Sequence, residues 1–88
     1  MLFMVIEHFK KGDARPVYQR YRERGRMMPE GLNYLDSWAE PDSNRCFQLM
    51  ETDDPDLFRL WTENWEDLVD FEIVPVITSK EAAAKFDD

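Results

Sequence analysis

Eighty-eight residues make one domain, and a chain this short hides only about two-thirds of its unfolded surface on folding, so its stability is modest unless something is added. One cysteine, Cys46, and one histidine, His8, exclude an internal disulfide and the Cys/His sets of structural zinc sites. A net charge of −8 argues against nucleic acid, and no apolar run approaches the roughly 20 residues of a membrane helix.

The opening run Met1-Leu2-Phe3-Met4-Val5-Ile6 is apolar but stops at Glu7, with no basic lead-in and no small-residue cleavage site. It reads as the first strand, over Leu2 to Phe9, rather than as a leader, and the expected compartment is the cytoplasm. Asp13 can cap a first helix over about 14–24, with Val17, Tyr18, Tyr21 and Arg22 at helical spacing and Gly25 as the stop. Residues 26–31 read as a loop.

From Leu32 to Ala39 the pattern has period two, and a second extended run covers Arg45 to Glu51. A turn centred between Asp42 and Ser43 pairs Glu40 with Arg45, Trp38 with Phe47, Ser37 with Gln48 and Asp36 with Leu49, setting opposite charges together and aromatics together. Cys46 lies in this apolar run and reads as a small buried hydrophobe rather than a reactive thiol.

The segment Thr52-Asp53-Asp54-Pro55-Asp56 is a helix start, and it lacks the ligand spacing of a calcium loop. Leu57, Leu60, Trp61, Asn64, Trp65 and Leu68 then predict one face of the second helix. Phe71 to Ile77 is the fourth strand, where Pro75 requires a sheet edge or a bulge. Ser79 can cap a short terminal helix through Lys85, after which Asp87-Asp88 should fray. The domain proper thus covers 1–78, and 79–88 is a terminal helix and tail.

Charge is uneven along the chain. Residues 10–26 hold seven basic groups against two acids, and 51–72 hold nine acids against Arg59 alone, which predicts two helices of opposite sign side by side.

The order strand, helix, strand, strand, helix, strand predicts an α+β, ferredoxin-like βαββαβ antiparallel sheet in the order 4-1-3-2, with two helices on one face. The first strand is apolar on both sides, Leu2, Met4 and Ile6 against Phe3 and Val5, so the open face asks for cover. Leaving Phe3, Val5, Trp38, Phe47 and Leu49 exposed would exceed what monomers tolerate, and the expectation is a homodimer packed through that face with a cavity at the seam.

Three stretches carry a family resemblance: Met1-Leu2-Phe3-Met4-Val5-Ile6-Glu7-His8-Phe9-Lys10, Gly31-Leu32-Asn33-Tyr34-Leu35-Asp36-Ser37-Trp38, and Arg45-Cys46-Phe47-Gln48-Leu49-Met50-Glu51-Thr52-Asp53-Asp54-Pro55. With Trp65 to Val76 they resemble, over nearly the whole chain, the family called domain of unknown function 3303. The resemblance implies membership of the dimeric α+β barrel group, which includes cofactor-free monooxygenases, isomerases, haem-degrading enzymes and stress-related proteins. It supports the fold and carries no catalytic motif to transfer.

The side chains singled out as ligand-binding are His8, Tyr34, Asp36 and Trp38. His8 is the one group with an ordinary pKa near neutrality, and it ends a central strand. Tyr34, Asp36 and Trp38 alternate along the second strand and are expected on one face, where they either orient a small polar-aromatic ligand or anchor the dimer. Ser37, Cys46 and Gln48 belong to the opposite face, under the helices. Glu7 and His8 must point to opposite faces, and which of them sees the cavity is left open.

No Ser-His-Asp or Cys-His set, no Gly-rich phosphate loop and no RNA-binding aromatic signature is present, so no cofactor, metal or nucleic-acid partner is expected. Two functional readings follow. One is a dimer whose cavity binds, or acts without cofactor on, a small partly apolar metabolite; the alternative is a non-catalytic dimeric interaction or regulatory module.

Overall fold

The computed structural model describes residues 1–86, so the expected fraying at Asp87 and Asp88 lies outside the described residues. The elements in order are β1 (Leu2–Phe9), a 3-10 turn (Lys10–Gly12), α1 (Arg15–Arg24), β2 (Asn33–Ala39), β3 (Arg45–Glu51), α2 (Leu57–Thr62), β4 (Val69–Val76) and α3 (Ser79–Lys85). The strands form one antiparallel sheet in the order β2-β3-β1-β4, the expected ferredoxin-like arrangement. Pro75 sits on the edge strand β4, where its missing N–H breaks no ladder.

Strand periodicity sorts the sheet into two faces. On β1, Phe3, Val5, Glu7 and Phe9 are buried, and Leu2, Met4, Ile6 and His8 are only partly covered. Phe3 and Val5 therefore belong to the core under the helices, contrary to their expected place on the open face. Strand registry assigns Met50 and Gln48 to their side as well. The core closes when Phe58, Trp61 and Trp65 come down on this face with Val17, Leu32 and Val69. Phe3 meets Phe58 edge-on at 5.0 Å, a favoured aromatic geometry.

The hairpin register is as the sequence predicts, with Ser37, Trp38 and Asp36 opposite Gln48, Phe47 and Leu49. Glu40 also accepts from the Arg45 guanidinium, at 2.5 Å. One irregularity interrupts β2. Tyr34 pairs with Met50 and Asp36 with Leu49, so Leu35 is an extra residue, a β-bulge that shifts the side-chain phase. Tyr34 is thereby turned to the helix side, with Asp36 and Trp38 on the open side. The expected single-face trio does not form.

The second helix is shorter than its pattern suggests, its buried residues being Phe58 and Trp61, with Leu60 55% exposed and Trp65 buried in the turns beyond it. Two side-chain bonds to backbone compete with its continuation: Thr62 Oγ1 donates to the Arg59 carbonyl and Asn64 Nδ2 to that of Leu60. Beyond Thr62 the chain goes on in tighter turns, with amide bonds from Asn64 to Trp61 and from Trp65 to Thr62.

Helix starts also differ in detail. Asp13 accepts the Arg15 amide at 3.0 Å, although the residue at the cap position is Ala14. Thr78, not Ser79, caps α3, accepting from the Glu81 amide at 3.1 Å. The basic and acidic segments do lie together, joined by a two-pronged Arg20–Asp67 pair with both contacts at 2.8 Å. Among the described residues no helix is long and apolar enough to cross a membrane.

Candidate functional site

A cleft of about 220 Å³ opens between the helix-side face of the sheet and α1. Its floor is strand side chains, Glu7 from β1, Cys46 and Gln48 from β3, and Ser37 from β2. These are neighbours because antiparallel registry sets Glu7 opposite Cys46 and Gln48 opposite Ser37. Val17 and Tyr18 of α1, with Tyr21 one helical turn further on, form one wall, and Trp61 and Trp65 help form the other. Tyr18 and Tyr21 are partly exposed and make the mouth.

Glu7 is the unusual member. A carboxyl group only 5% exposed is costly unless it is neutral or well bonded. Gln48 Nε2 donates to it at 2.5 Å, and the Cys46 thiol is also a hydrogen-bond partner. Burial raises its pKa above the ordinary carboxylate value, with Gln48, Cys46 and the Arg26 charge pulling the other way. Burial, joined by the neighbouring carboxyl, pushes the Cys46 thiol up to about 12, so sulfur stays protonated and inert, as the sequence suggests.

Arg26 enters from the loop after α1. Its guanidinium lies 3.7 Å from the Tyr34 ring centroid and 5.0 Å from that of Tyr21. Nε donates to Gln48 Oε1 at 3.4 Å, so Gln48 bridges the buried acid and the base. The loop itself is pinned from beneath, with Trp61 and Trp65 both donating from Nε1 to the Arg26 carbonyl, at 2.9 and 3.1 Å. Met27, at φ 57°, takes a left-handed conformation that non-glycine residues rarely adopt. Tyr34 is held as platform by a 2.6 Å bond between its hydroxyl and Ser37 Oγ.

Of the four residues singled out in the sequence, the structure brings only some together. His8 lies on the open face, its Nε2 2.7 Å from Glu72 Oε1, in the strand row that holds Asp70 and Arg45. Asp36 and Trp38 occupy the open face of edge strand β2, two strands away from His8, and Trp38 is 52% exposed. Tyr34 stands on the other side of the sheet, beneath Arg26. Glu7 is therefore the β1 group that faces this helix-side cleft, and His8 the one on the open face, where the sequence predicts a seam cavity.

Sequence reasoning placed Ser37, Cys46 and Gln48 correctly but did not join Glu7 to them. Glu7 shares the phase of Phe3, Val5 and Phe9, but with both sides of β1 apolar that phase alone assigns it no face. Arg26 carried no signal, because its place depends on loop geometry. Among the described residues no cluster of three or more His, Cys, Asp or Glu side chains is arranged to hold a metal ion.

No curated protein and no solved structure matches the chain. A family model described as Domain of unknown function (DUF3303) matches residues 1–88, the whole length, and the chain belongs to that family.

Proposed function

We infer that this protein binds a small, partly apolar molecule in the cleft over Glu7, and that Glu7 is the group through which a proton passes to or from it. The observation that carries this reading is a carboxyl held 95% out of solvent at the floor of an aromatic-lined space of about 220 Å³. A carboxyl of raised pKa in a dry site is a usable proton donor or acceptor, and Gln48 fixes its orientation. No cofactor enters this reading. Ligand-observed NMR with single-ring fragments tests it. Binding is expected to wild type and to be lost in Ser37→Leu, which fills the floor; undiminished binding to that folded variant, or no binding to wild type, would overturn it.

A second reading concerns assembly, and the open sheet face favours it. Strand registry lines up Val76 with Leu2, Val74 with Met4 and Leu49, and Ile6 with Phe47 and Trp38, rimmed by Asp70, His8, Arg45, Glu72 and Asp36. The patch is continuous and only partly covered, and each 100 Å² of it withdrawn from water contributes roughly 2.5 kcal/mol to association. Helix α3 points the same way. It has seven residues and buries none of them, and helices below about 12 residues are marginal in isolation. A second copy of the chain, facing the first sheet to sheet, would cover the patch and offer α3 a surface. In that homodimer Trp38 is an interface anchor and Asp36 a rim group. Light scattering after gel filtration should give a dimer that Ile6→Glu splits, whereas a wild-type monomer at micromolar concentration would rule it out.

A further inference from the structure

A guanidinium has five N–H donors, and when it is withdrawn from water those donors need acceptors. Here 19 acidic side chains face 11 basic ones, and Arg15, Arg20 and Arg45 each sit on an Asp or Glu. Among the described residues Arg22, Arg24 and Arg59 make no ion pair but lie exposed in water, whereas Arg26 lacks an ion pair while half-buried. Its bonds are one to Gln48 and one, at 3.2 Å, to the Tyr21 hydroxyl. What holds it is two tyrosine rings and a carbonyl clamped by two indoles. It is half-buried at the wall of the cleft, with donors to spare.

We propose that the cleft takes a small aromatic carboxylate of single-ring size, its carboxylate paired with Arg26 and its ring lodged among Tyr18, Tyr21 and Trp65. This deepens, and rests on, the reading of the cleft as a small-molecule site. Size follows from volume, since an apolar cavity of roughly 150 Å³ already accepts benzene, and about 220 Å³ leaves room for one charged substituent. Charge follows from Arg26, because a planar fork matches a carboxylate in two parallel bonds. Ring character follows from the walls, where π-faces and edges pack flat molecules with little entropy loss. The Arg20 guanidinium already lies 5.7 Å from the Trp65 ring and is spent on Asp67, so it does not compete for the anion. Glu7 does not repel the incoming charge in its protonated state, and in that state it can donate to a ring substituent.

Isothermal titration of the purified full chain with benzoate, benzyl alcohol and benzylamine decides the question. Benzoate is expected to bind at least about tenfold tighter than benzyl alcohol, the discrimination of one charge-assisted pair. Raising the salt concentration should narrow that gap. Arg26→Gln should bring benzoate down to the level of the alcohol, with circular dichroism to verify the fold. The comparison among the three probes needs no variant, so it stands even where Arg26→Gln fails to fold. Equal binding of benzoate and benzyl alcohol, or tightest binding of benzylamine, would overturn the anion assignment and leave the cleft a ligand site. Absence of binding by all three would overturn both.

Discussion

Trp61 and Trp65 share one acceptor, the carbonyl oxygen of Arg26, and that sharing sets a quantitative expectation. Changing either to phenylalanine removes one donor and leaves a void of a few tens of Å³, which at about 24 cal/mol per Å³ costs about 1 kcal/mol. Loss of the hydrogen bond costs about 1 kcal/mol more. Each single variant should therefore be about 2 kcal/mol less stable, a fall in Tm of about 8–16 °C for a domain of this size. In either one the oxygen keeps a partner. With both indoles gone it has none, and an orphaned carbonyl adds about 1–3 kcal/mol. Trp61→Phe/Trp65→Phe should thus fall below the sum of its parts by at least about 1 kcal/mol. Urea unfolding of the four proteins, compared at equal slope, measures this. Additivity within about 0.5 kcal/mol would refute the view that the two indoles jointly pin the loop carrying Arg26.

Two further outcomes follow from the Glu7–Cys46 pair on the floor. Because burial raises the folded-state pKa of Glu7, its contribution to stability is fully present below the unfolded value and is lost as pH rises through the folded one. Glu7→Gln keeps an acceptor for Gln48 and cannot ionise, so it should match wild type below about pH 4 and exceed it above neutrality, each unit of pKa elevation being worth about 1.4 kcal/mol. Chemical denaturation across that range checks it, and a difference constant with pH would exclude the assignment. With its thiol pKa pushed up to about 12, Cys46 should react with a disulfide reagent at pH 8 at least about a hundredfold more slowly in the folded chain than in urea. Comparable rates would mean that the floor of the cleft is open to solvent.

Strand order and hairpin register were legible because both depend on local rules: period-two alternation, a polar turn and complementary cross-strand pairs such as Glu40 with Arg45. The phase of β1 was not, because both of its sides are apolar and only the placement of the helices decides that Phe3 and Val5 go under cover while Met4 and Ile6 do not. The second helix misled for a similar reason. Leu60 fits a helical stripe, but Phe58, Trp61 and Trp65 present more apolar surface and took the core, leaving Leu60 outside. The site was the least readable part. Its charge comes from a loop residue, and its acid was visible only as one of two neighbours on a strand that had to diverge.

An alternating strand is a two-sided record in which one inserted residue exchanges all that follows. Leu35 is such an insertion within the five residues from Tyr34 to Trp38: Tyr34 supports a guanidinium inside, while Asp36 and Trp38 look outward. Drawing Leu35 into the ladder, with no bulge to absorb it, would put Tyr34 and Asp36 on one face and end that division of labour. Either the phenol would move into water and strip Arg26 of its support, or the segment beyond would turn over and carry Ser37 off the floor.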